Sequence, residues 1–147
     1  MNILMRWRWL ICWLYAVGIL GLSILPAGAL ESALEFFPHQ DKLLHALMYG
    51  GWAAVLGWAV QAHVRRSPLA WMLGIVLTVT AYGILMEILQ QMLPWAQRTC
   101  SGWDALANLV GAALAVGFLA LHRLLSRHCA CLSARNTACN AVGRQMK

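Results

Sequence analysis

The sequence predicts an all-α, polytopic membrane protein: a bundle of four transmembrane helices with both termini on the cytoplasmic side. Three observations predict it. Only 11% of the 147 residues are charged and 61% are hydrophobic, with a mean hydropathy of +0.65. A soluble domain carries roughly 25% charged residues, so this chain has too little polar surface to cover a water-soluble globule. Four apolar runs approach or reach the length of about 20 residues that a spanning helix needs, and none alternates with the period of two expected of a barrel strand. Basic residues collect on one side of those runs. The length suits one domain, with no room for a separate soluble module.

The first run covers about residues 9–25 and is the shortest. Its start also resembles a signal peptide: Arg6 and Arg8, an apolar stretch, then Ala27, Gly28 and Ala29 as a small-residue site. The run exceeds the usual apolar core of about 7–15 residues, so a retained helix is expected. The second run covers about 43–62, and the third about 69–93 with one acid, Glu87. The fourth covers about 103–121 and opens beside Asp104. Trp7, Trp9, Trp71, Trp95 and Trp103 fall near run ends, where interfacial aromatic belts sit. Residues 1–127 then form one transmembrane domain. Residues 128–147 are polar and basic without apolar periodicity, and read as a disordered cytoplasmic extension. In the loop from Pro26 to Gln40, residues Glu31, Leu34, Glu35 and Phe37 suggest a short interfacial helix.

The cations set the orientation. Arg6, Arg8, Arg65, Arg66, Arg123, Arg127, Arg135, Arg144 and Lys147 all fall on one side of a four-span arrangement, leaving only Lys42 and Arg98 on the other. The positive-inside rule places the larger group in the cytoplasm. The net charge of +6 is thus a topology signal, with attraction to anionic lipid as a second effect, and nucleic acid is not an expected partner. The five acids show the opposite bias: Glu31, Glu35, Asp41, Glu87 and Asp104 lie in the outer loops or near outer helix ends. Five cysteines at irregular spacing make no disulfide framework. His128, Cys129, Cys131 and Cys139 match no zinc pattern, and no P-loop, zincin or glycine-rich nucleotide signature is present.

Charged groups within a bilayer are costly, by about 2.5–3.5 kcal/mol at a helix centre on insertion scales, and usually face the bundle interior. Here they fall into stripes. Asp41, His45 and Tyr49 are spaced by four and four, with Lys42 beside the top. Glu87 pairs with Gln90 at three and with Gln91 at four; Asp104, Asn108 and Gly111 are spaced by four and three. At 3.6 residues per turn each set shares one helix face, and the three stripes are expected to converge at one depth. Glu87 is the acid that stands well inside an apolar run, which favours a functional or network role. The bland account makes Asp41 and Asp104 helix caps, His45 and Tyr49 packed rings, and Gln90 and Gln91 glue between helices. Gly111 and Gly117, with Ala107, Ala112 and Ala115, read as close helix packing.

The run Asp41-Lys42-x-x-His45-x-x-x-Tyr49, then Glu87-x-x-Gln90, then Pro94 and Arg98, then Asp104-x-x-x-Asn108-x-x-Gly111 closely resembles the VanZ-like family. The match covers about Asp41 to Leu121. Gln91, the loop Trp95-Ala96-Gln97 and the cysteine-bearing tail depart from it. The resemblance implies a small bacterial inner-membrane protein acting on the cell envelope, in a family whose founding member is associated with resistance to the glycopeptide teicoplanin.

Two functions are expected candidates. In the first, an outward pocket binds or modifies a lipid headgroup or envelope precursor. Lys42, Arg98 and a helix N-terminus would hold a phosphate, with His45 and Glu87 as the acid–base pair and Asp41, Tyr49, Gln90, Asp104 and Asn108 as binding residues. In the second, the cluster is a structural network in a scaffold or interaction protein. No nucleophile stands out. Asp41, His45, Glu87 and Asp104 are chemically able to ligate a divalent ion, but no metal set is assigned and no cofactor is specified. Membrane lipids are the expected partners, a phosphorylated lipid or envelope precursor among them; no protein partner is named.

Overall fold

The computed structural model describes residues 3–25, 40–61, 68–94 and 102–145. Among these, all regular structure is helical: α1 (Ile3–Ile24), α2 (Gln40–Val60), α3 (Pro68–Met92) and α4 (Gly102–Gln145). Each contains a segment long and apolar enough to cross a membrane: Met5–Ile24, Asp41–Val60, Leu69–Met92 and Gly102–Cys129. At 1.5 Å per residue the shortest of them reaches roughly 30 Å, the thickness of a bilayer's hydrocarbon core.

Local chemistry explains where the helices start and stop. Pro68 opens α3, at the one helical position where a missing N–H and a fixed φ cost nothing. After Met92, Leu93 N–H donates to the Gln90 carbonyl at 3.3 Å, and Pro94 ends the run because it has no N–H to continue the ladder. Asp41 and Asp104 stand in the first turns of α2 and α4, where the helix dipole favours an anion. α1 begins six residues before the expected start at residue 9. Arg6 and Arg8 interrupt the apolar run but not the helix, because arginine is a good helix former.

The largest difference lies in α4. Residues 128–147 read as a disordered extension, yet the helix continues to Gln145. Nothing between Phe118 and Val142 is glycine or proline, so no breaker interrupts it. The chain divides into two compact units, Met1–Gly117 and Phe118–Lys147. The second is this helical continuation. The first holds α1, α2, α3 and the start of α4, and contains every described residue of the candidate site. The expected interfacial helix at Glu31, Leu34, Glu35 and Phe37, the small-residue site at Ala27–Ala29, and Arg65, Arg66 and Arg98 lie outside the described residues.

Within the first unit, α1 offers Cys12, Ala16, Ile19 and Ser23 inward, α2 offers Tyr49, Trp52, Ala53 and Ala59, and α3 offers Trp71, Ile75, Val79 and Met86. These recur at the three- and four-residue spacing of one helix face. Polar hooks join α1 to its neighbours. Cys12 Sγ donates to the Val55 carbonyl at 3.6 Å, Tyr82 Oη to the Ala16 carbonyl at 2.8 Å, and Gln90 Nε2 to the Ser23 carbonyl at 3.2 Å. The Trp52 and Tyr82 rings meet at 4.8 Å, tilted by 56°. At the other end, Arg8 lies 4.6 Å from the centre of the Trp58 ring.

The outward faces are apolar. Leu47, Leu77, Leu114 and Phe118 are each more than 60% exposed, while Ser23, Glu87, Gln90 and Asn108 are buried. Isolated exposed apolar residues are ordinary, but a perimeter of them around an interior that encloses Glu87, Gln90 and Asn108 departs from the pattern of a soluble domain.

Candidate functional site

α2 and α4 approach at their backbones. A Cβ built on Gly111 would collide with the carbonyl group of Ala46, and one on Gly50 would stand 3.0 Å from the Gly111 carbonyl oxygen. This is the small-residue contact expected of Gly111, and Ala112 beside it is fully buried. Gly117 differs: its Cβ position meets nothing within 4 Å. The near contact of α2 and α4 has a direct consequence one turn away. It brings His45 of α2 against Asn108 of α4, with Nδ1 and Oδ1 3.1 Å apart.

From α3, Glu87 reaches the same point. Its Oε1 is 4.0 Å from His45 Nδ1 and its side chain is 5% exposed. That separation exceeds a hydrogen bond, so the attraction is electrostatic and acts when the imidazole is protonated. Asp104, one turn before Asn108 on α4, completes the group. Donor atoms of His45, Glu87 and Asp104 all lie within 4.8 Å of one another. Tyr49 lies beneath, 2% exposed, its ring nearly parallel to that of His45 at a centroid distance of 6.1 Å and 11°. The expected meeting of three stripes from three helices is thus present for His45, Tyr49, Glu87, Asp104 and Asn108.

Burial makes this grouping consequential. Asn108 is fully buried and its Nδ2 has no hydrogen-bond partner; Asp104 Oδ1 is likewise buried without one. An unsatisfied buried polar group costs about 1–3 kcal/mol, so two in one cluster mark a place where the chain is not optimised for packing alone.

The remaining expected residues divide. Asp41 and Lys42 sit at the rim and pair with each other, Lys42 Nζ donating to Asp41 Oδ2 at 3.0 Å. Adjacent in sequence and largely exposed, such a pair is worth little in stability. It does leave one cation and one anion at the mouth of the cluster. Gln90 is buried but turns to α1, bonding the Ser23 carbonyl, and Gln91 is exposed. Arg98 lies outside the described residues.

Two participants were not read from the sequence. Gly83 of α3 faces the cluster: a Cβ there would stand 2.6 Å from Asn108 Nδ2 and 3.3 Å from the Tyr49 ring. Ser23 contributes only its carbonyl, which no side-chain pattern announces. A glycine four residues before Glu87 was the available signal for the first.

No protein-family model, curated protein or solved structure matches this chain.

Proposed function

We propose that this chain is a VanZ-like, multi-pass protein of the bacterial inner membrane, with both termini in the cytoplasm, whose outward cluster binds or modifies a lipid headgroup or cell-envelope precursor. One observation carries the reading: an acid, an imidazole and a carboxamide from three different apolar helices meet at His45, Glu87 and Asn108, with Glu87 and Asn108 buried. Ionisable groups in such helices are expensive and mark functional pathways or sites. The apolar perimeter supports placement in a bilayer, and the positive-inside rule supports the sidedness.

The chemistry suits a charged headgroup. Lys42 at the rim and the N-terminus of α4 attract a phosphate, and Asp41 attracts an amine. His45 and Glu87 then serve as a proton donor and acceptor pair beneath it. An effect on the envelope, including a link to glycopeptide response of the teicoplanin kind, belongs to this proposal through the family resemblance.

A second reading has its own observation. Gln90 is buried and spends its amide on the Ser23 carbonyl, a bond that only joins helices. If the whole polar set acts this way, the protein is a scaffold or interaction protein.

Mass spectrometry of lipids that co-purify in mild detergent separates the two. On the headgroup reading, one lipid class is enriched on the wild type and lost on Glu87→Gln, while the variant remains folded. Identical lipid on both proteins, with a lower Tm for Glu87→Gln, selects the scaffold.

A further inference from the structure

We propose that His45, Glu87 and Asp104 form a binding site for one divalent transition-metal ion of the zinc or manganese type. The sequence offered these three, with Asp41, as chemically able to ligate a divalent ion but assigned no metal set, since they belong to separate helices and have no ligand spacing in the chain. The fold brings their donor atoms within 4.8 Å of one another. Ligands on a single zinc ion, at about 2.0–2.2 Å each, stand no more than about 4.4 Å apart. Side-chain rotations of a fraction of an ångström therefore close the set around an ion.

Three further facts favour a cation over a purely hydrogen-bonded network. Glu87, buried, and Asp104, half-buried, bring two carboxylates to one point, where like charges repel and a divalent ion cancels both. Asp104 Oδ1 is buried with no hydrogen-bond partner, so its lone pairs are open to a ligated ion. Asn108, fully buried, lies with Oδ1 3.1 Å from His45 Nδ1; with Nδ1–H donating to that oxygen, Nε2 is the nitrogen left to ligate, and the bond is the kind of outer contact that orients a metal-bound imidazole.

The donor set also selects the ion. One imidazole nitrogen and two carboxylates suit zinc or manganese; calcium demands six to eight oxygens. Three protein ligands leave at least one coordination position open. That a headgroup phosphate oxygen takes this position rests on the lipid reading above in its binding form, since His45 and Glu87 bound to an ion no longer serve as a proton donor and acceptor; the metal site itself does not rest on it.

The test uses the full chain in nanodiscs, stripped with chelator and titrated with Zn²⁺ by calorimetry. Titration with Co²⁺ follows, its visible absorption reporting a nitrogen-containing site. Cys129→Ser, Cys131→Ser and Cys139→Ser are introduced together, so that the tail thiols do not contribute. One equivalent is expected, weakened at least tenfold in each of His45→Gln, Glu87→Gln and Asp104→Asn. Asp104, at the half-buried start of α4, provides the variant least exposed to misfolding. Absence of saturable binding in this background, or binding unchanged by the three substitutions, overturns the site. The lipid measurement keeps the two proposals apart. Metal bound with no selective lipid removes the headgroup reading and leaves the ion. Selective lipid with no metal does the reverse.

Discussion

Gly83 decides whether Asn108 and Tyr49 fit where they do. A methyl group at that position would press within 2.6 Å of the Asn108 amide nitrogen and 3.3 Å of the Tyr49 ring, whereas one at Gly74, on the same helix, meets nothing within 4 Å. The two glycines give opposite expectations. Gly83→Ala overpacks a buried point and lowers stability by about 1–3 kcal/mol. Gly74→Ala removes a helix-interior glycine and raises stability by up to about 1 kcal/mol. Thermal unfolding in one detergent checks both, and a Gly83→Ala protein as stable as Gly74→Ala contradicts the packing described. At this scale the sequence was only partly legible. His45, Glu87, Asp104 and Asn108 stood out because polar residues in apolar runs are costly, and their spacing named their faces. Gly83 carried no such cost, since a glycine in an apolar helix is ordinary until its neighbour from another helix is known. Gln90 was read both as a binding residue and as glue between helices, and its bond to the Ser23 carbonyl is of the second kind: nothing in its spacing from Glu87 distinguishes a site residue from one that bonds the α1 backbone.

The same contact physics governs whole helices. α2 and α4 touch through Ala46, Gly50 and Gly111, and this close approach allows His45 and Asn108 to reach each other. Gly111→Ala would set a Cβ against the Ala46 carbonyl group, part of a helix backbone that cannot rotate aside as a side chain can. The helices must separate, and the His45–Asn108 contact lengthens with them. The expected outcome is a loss of about 2–3 kcal/mol, together with loss of whatever ligand the cluster holds. Gly117→Ala is the matched control, because its Cβ position is open, and it should leave both Tm and ligand unchanged. Helix number and approximate span were legible because four apolar runs of this length have no other economical fold in a single small chain. Helix ends were less so. Hydropathy sees where apolar character stops, while the backbone continues through Arg8 at one end and through the Arg127–Gln145 segment at the other. Hydrogen bonding, not hydrophobicity, terminates a helix.

For the molecule as a whole, the proposed orientation turns the cluster into a site with an address. Asp41, Lys42, His45 and Asp104 belong to the starts of α2 and α4, and Glu87 lies five residues before the end of α3, roughly 7.5 Å along the axis. All therefore share one end of the first unit, opposite Arg8 and Trp58. Nine of the eleven cations sit on the side of Arg8 in a four-span arrangement, so the positive-inside rule sends the cluster outward. A cysteine placed at either end reports the sidedness. In a background with all five native cysteines replaced by serine, Lys42→Cys should react with a membrane-impermeant maleimide in intact cells depleted of the outer barrier. A chain retaining Cys139 alone should react only after the membrane is opened. The reverse pattern would put the acidic cluster in the cytoplasm and remove extracytoplasmic envelope precursors from its reach. Labelling of both positions from outside would mean an even number of spans between them, which neither cleavage after α1 nor inversion of the bundle can produce: α2, α3 and α4 keep positions 42 and 139 on opposite sides in either orientation. The labelling pattern thus tests the topology through the two positions that the cluster and the tail depend on, whatever the fate of α1.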